Sequence, residues 1–181
     1  MDAMAGIKQG YTAVACIAAL WVAPATRAAQ PHEHGLAQLD VVVQAQRVVI
    51  ELDTPLDNLL GFERAPRTDA ERAKAAAVVA RLRDATALFR IDPSAGCSLA
   101  RVELNSAALS LGTAAPSASE HAGLTGTFEF RCSAGARAGF VEVGLFDAFA
   151  GLKRLDLQVA TPRGQLKATL RRPATRVALA R

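Results

Sequence analysis

Short runs of alternating apolar residues, broken by one long helical pattern, predict an α+β fold with a mainly antiparallel sheet. Three observations carry this expectation. Strand-like alternation starts at Leu39 and returns after each turn signal, a capping-box tetrapeptide at Thr68 opens a single amphipathic helix, and two cysteines, Cys97 and Cys132, flank the middle strands.

The first 28 residues have the layout of an export signal, which is removed from the mature chain. Lys8 lies near the start, an apolar run extends from about Tyr11 to Ala23, and Pro24 and small residues follow. A run of about 13 residues is short of the roughly 20 that cross a bilayer, so removal rather than anchoring is expected. Cleavage is placed after Ala28, leaving one domain over residues 29 to 181. Cys16 inside the run would suit lipidation, but the preceding Ala13-Val14-Ala15 lacks the large apolar residue of a lipoprotein site. Losing Lys8, Arg27 and Asp2 with the leader changes the formal net charge from +4 to +3. Nucleic-acid binding needs a basic stripe with aromatic platforms. Here the arginines are dispersed, and the one Tyr and one Trp both lie in the leader. The expected location is the bacterial periplasm or the cell exterior, with no membrane span after the leader.

Leu39, Val41 and Val43 alternate with Gln38 and Asp40, and Val48, Ile50 and Leu52 alternate with Arg47, Glu51 and Asp53. The two runs read as an antiparallel hairpin. TPLDNLLGFERAPR, residues 54 to 67, then leaves the sheet between Pro55 and Pro66, with Leu59, Leu60 and Phe62 expected to pack down. Thr68-Asp69-Ala70-Glu71 is a capping box, and behind it Ala75, Val78, Val79, Leu82, Ala85 and Phe89 recur at helical spacing. This predicts a helix of about 22 residues.

DPSAG (92 to 96) turns the chain into a strand around Leu99 to Asn105, and GTAAPSASEHAG (112 to 123) reads as a loop. Leu124, Phe128, Phe130 and Cys132 share one face of the next strand, and Val141, Val143 and Leu145 belong to another. FDAFAGL (146 to 152) is a short helical turn, and Leu155, Leu157 and Val159 form a further strand. Pro162-Arg163-Gly164 then turns the chain so that Leu166, Ala168 and Leu170 return.

After loss of Cys16 an even pair remains, and in an oxidising compartment Cys97 and Cys132 read as a disulfide. It would close a loop of about 36 residues, a constraint of roughly 4 kcal/mol in the chain-entropy model. A zinc site using both thiolates is the rival, although neither cysteine has a CxxC partner or a nearby histidine. No catalytic constellation emerges: there is no G-x-S-x-G elbow, no H-E-x-x-H helix and no Gly-rich phosphate cradle after a strand. An enzyme is therefore not expected.

Five landmarks stand in order: HEHGLAQLDV from His32, PLDNLLGFERAPRT before the helix, Cys97 after it, FEFRC carrying Cys132, and LFDAFAGLKRLDLQVATPRGQ from Leu145. Together they resemble the ZrgA-type family of periplasmic zinc uptake proteins of Gram-negative bacteria, over nearly the whole mature chain. The resemblance implies an exported zinc-binding protein, produced under zinc limitation, that assists uptake through an ABC-type importer. Family members carry a His/Asp-rich loop between the strands that follow the first cysteine and bear the second. The matching stretch here, residues 112 to 123, holds His121 beside Glu120 and no other histidine. Bulk zinc sequestration is accordingly not expected.

Zinc takes about four ligands from imidazole, thiolate or carboxylate. His32 and His34, at i and i+2 on an extended chain, would project to the same side, with Glu33 pointing away. Two imidazoles alone make a weak site, so further ligands would come from His121, Glu120, Asp57, Glu63 or water. The competing reading makes the histidines the start of the first strand, and makes the protein a metal-independent interaction module docking on an envelope partner. Pro31 has no backbone N–H, which closes a copper or nickel site on the free amino terminus.

Overall fold

A computed structural model describes residues 33–113 and 122–179. The expected export leader, His32, Glu120 and His121 lie outside the described residues.

The hairpin forms as the alternation requires. Strands β1 (Leu36–Val43) and β2 (Arg47–Pro55) pair antiparallel, with Leu39 opposite Leu52 and Val41 opposite Ile50. The inward residues of both strands are buried while Arg47, Glu51 and Asp53 face water. The connection that follows is more ordered than a loop: it contains a helical turn, α1 (Asp57–Leu60), closed by Gly61 at φ 77°. Leu59 and Leu60 are buried and Phe62 packs against the core, as expected.

Helix α2 spans Asp69–Arg83, 15 residues rather than about 22. The chain leaves the helical path at Asp84 (φ −82°, ψ 62°), makes one turn in α3 (Ala85–Leu88), and enters β3 (Phe89–Ile91). The apolar spacing continues through the break because Ala85, Leu88 and Phe89 are all buried. Phe89 is drawn into a strand by pairing with Val143 and by its ring contact with Phe128 at 4.9 Å between centroids. Tertiary pairing overrides the local helical pattern there.

A 3₁₀ turn at Pro93–Ala95 leads into β4 (Cys97–Asn105), which pairs antiparallel with β5 (Gly123–Cys132). Cys97 and Cys132 face each other in that register and form a disulfide with an S–S distance of 2.06 Å. The expected pairing is therefore the one present, and the thiolate zinc site is not. Strand β6 (Phe140–Val143) ends before Leu145, which opens α4 (Leu145–Ala148) instead of continuing the strand. Strands β7 (Arg154–Thr161) and β8 (Gly164–Arg171) form the last hairpin, and β9 (Arg176–Ala178) follows.

Six strands make one sheet in the order β4-β5-β2-β1-β7-β8, and β3-β6-β9 make a second. The antiparallel expectation holds except between β1 and β7, which run parallel with Leu39 opposite Leu157. Buried residues of both sheets join Ala75, Val78 and Leu82 of α2 in one contiguous apolar cluster. Among the described residues, no helix is long and apolar enough to cross a membrane.

Candidate metal centre

Before β1 begins at Leu36, the amino-terminal landmark makes a turn. Leu36 N–H donates to Glu33 O at 3.0 Å, closing a turn over His34 and Gly35, and Gly35 has φ 85°. A positive φ at the third turn position favours glycine over any residue with a Cβ. The chain thus turns at His34 instead of running extended there, while the expected same-side partner, His32, lies outside the described residues.

That turn is fastened to α1 by one buried side chain. Asn58 Oδ1 accepts from Gly35 N–H at 2.6 Å, and its Nδ2 donates to Leu36 O at 2.7 Å and Thr54 Oγ1 at 3.0 Å. Gly35 O in turn accepts from Lys153 N–H at 2.8 Å and Arg154 N–H at 2.9 Å. The late landmark joins the same corner, because a Cβ at Gly151 would lie 2.5 Å from Asn58 O. Three stretches distant in sequence, HEHG, PLDN and AGLKR, therefore meet.

With the backbones so fixed, His34 Nδ1 lies 2.8 Å from Asp57 Oδ2. Glu33 bonds elsewhere, its Oε2 accepting from Arg154 Nη2 at 2.9 Å. The hydrogen bond that His34 donates to Asp57 raises the His34 pKa above its ordinary 6.5, helped by the negative charges of Glu63 and Asp57 and opposed by burial and Lys153. Asp57 and Glu63, two carboxylates singled out from the sequence, thus act on the same imidazole. A groove of about 410 Å³ adjoins Asp57, between α1, α2 and the segment after α4, with Leu59, Val78 and Phe149 on its walls.

Leu56 N–H donates to Ala122 O at 2.9 Å, so the residue just before β5 is tied to the residue before Asp57. His32, His121 and Glu120 cannot be placed in this geometry, since they lie outside the described residues. Among the described residues, no group of three or more His, Cys, Asp or Glu side chains could hold a metal ion. The corner supplies one oriented imidazole with acidic neighbours, and a zinc ion bound there needs ligands from beyond it.

Sequence reasoning passed over Asn58, Arg154 and Lys153. Asn58 lies inside the quoted PLDN motif, but a polar residue that is 2 % exposed is recognisable only from its burial. A family model described as ZrgA family zinc uptake protein matches residues 31–179. A comparison with curated proteins finds no match.

Proposed function

The chain belongs to the ZrgA family of zinc uptake proteins, and from that premise we propose that it is a non-catalytic, periplasmic zinc-binding accessory protein that assists zinc delivery to an ABC-type importer. The observation that supports this most is the His34–Asp57 pair at 2.8 Å, held at a corner where three family landmarks converge. A ring nitrogen bonded to a carboxylate is a common feature of metal-binding histidines. In this reading His34 is one ligand, and His32, His121, Glu120, Glu63 and water are the pool from which the others come. With only one histidine in the 112 to 123 loop, the protein carries few zinc ions rather than storing many.

Calorimetric titration of zinc into chelator-stripped protein at about pH 7.5 tests this, with the His32→Ala, His34→Ala double variant in parallel. Saturable binding near one ion per chain, at micromolar affinity or tighter and lost in the variant, is expected. Equal binding in both proteins would sink the site.

A second reading is a metal-independent docking module, favoured by the absence of a complete ligand set among the described residues. Under that reading the importer component would be retained equally with and without chelator, whereas the zinc reading expects chelator to weaken it.

A further inference from the structure

We propose that Asp57 is a positioning residue, holding His34 in the tautomer protonated on Nδ1 so that Nε2 is the nitrogen presented to the metal. The inference rests on the zinc reading above and specifies which atom of the site does the binding. An ionised carboxylate only accepts hydrogen bonds, so the 2.8 Å contact requires the proton on Nδ1. In the neutral ring this leaves the Nε2 lone pair free, the form in which imidazole ligates metals.

Nδ1 and Oδ2 stand at hydrogen-bonding range, the separation that positioning requires. Exposure agrees: the His34 side chain is 65 % accessible and that of Asp57 31 %, so most of the ring remains open to an ion and further ligands. The pair is built rather than incidental. Asn58, the neighbour of Asp57, grips the backbone on both sides of the Gly35 peptide, which fixes His34 against α1 across more than twenty residues of chain.

Long-range proton–nitrogen NMR correlations of the His34 ring, on zinc-free protein at about pH 8.5, report the tautomer directly; His34→Ala identifies the signals. The expected wild-type form is Nδ1–H, shifting toward Nε2–H in Asp57→Ala. Zinc titrations of the same proteins should show binding weakened roughly 10- to 100-fold in Asp57→Ala. Asp57→Asn, which keeps an acceptor oxygen, should recover part of the loss. Thermal unfolding of each variant controls for folding. A wild-type ring carrying its proton on Nε2, or Asp57→Ala binding zinc as tightly as wild type, overturns the inference and leaves the zinc reading standing. An asparagine variant no better than the alanine one also overturns it, by making Asp57 itself a ligand. Wild-type protein with Nδ1–H but no zinc affinity overturns the zinc reading and with it the metal role of Nε2.

Discussion

At the scale of single residues, Asn58 organises the candidate site without belonging to the chemistry. Its amide satisfies the Gly35 N–H and the Leu36 carbonyl, groups that would otherwise be left without these partners. Truncation to alanine strips those bonds at a buried position. Asn58→Ala should lower stability by about 2–4 kcal/mol, read as a reduced midpoint in urea unfolding with an unchanged slope. His34 gives a second residue-level expectation. Its folded pKa lies above 6.5 because of Asp57 and Glu63. The stabilisation from its protonated form is therefore fully present below the unfolded value and lost as pH rises through the raised folded value. Under the proposed zinc reading, affinity would have the opposite slope, since the ion would compete with the proton and gain as pH rises. Unfolding of zinc-free wild type and His34→Ala from pH 5 to 9 should show a wild-type advantage at the acid end that fades toward pH 9. An advantage that grew with pH would contradict the assignment.

At the scale of elements, the start of α2 gives the part of the GFERAPRT landmark from Arg64 to Thr68 a structural role, apart from the candidate ligand Glu63. Glu71 reaches back to Arg67 N–H at 2.6 Å and Thr68 N–H at 3.4 Å, and it binds both terminal nitrogens of Arg64 at 2.6 and 2.9 Å. The Arg64 contact, with those amide donors, holds its pKa down at about 2 against an ordinary 4.5. A depressed carboxylate stabilises the fold above its unfolded pKa and loses that contribution as pH falls toward the folded one. Glu71→Gln should therefore flatten the acid limb of the stability profile between about pH 4.5 and 2, with the pH dependence of the unfolding midpoint as the readout. An unaltered acid limb would remove Glu71 from this role. The capping box was legible because it is local: four residues and two reciprocal bonds. The end of the helix was not, because Ala85 and Phe89 keep helical spacing while lying in different elements. The turn at Gly35 was hidden for a related reason, as alternation from Leu39 says nothing about how the chain arrives there. Asp57 and Glu63 were within reach of inference from their place on the connection beside the hairpin. Asn58 was not, since only packing makes its amide indispensable.

At the scale of the whole molecule, the site depends on a strand order that alternation cannot reveal. The parallel β1–β7 pair brings the start of the domain against its last third, and so sets Gly35 beside Lys153 and Arg154. The disulfide belongs to the other end of the same sheet. Cys132 N–H bonds to Gln46 O beside the β1–β2 turn, whereas Gly123, at the opposite end of β5, pairs with Pro55 next to α1. A strand of this length separates the two ends by roughly 30 Å. This separation turns the former ambiguity of the cysteines into a discriminating experiment. If their role is to pin the edge strand β4 to β5, Cys97→Ser, Cys132→Ser should cost about 2–5 kcal/mol of stability and leave zinc affinity unchanged at temperatures where the variant stays folded. If the thiols instead serve the metal, the folded double variant loses zinc affinity, and so does the oxidised wild type relative to the reduced one. Calorimetric zinc titrations of all three proteins, alongside their urea midpoints, separate the two cases. The geometry predicts a large shift in the midpoint and none in the binding isotherm, because the bond constrains the chain at one end of the sheet and the proposed ligand His34 lies at the other.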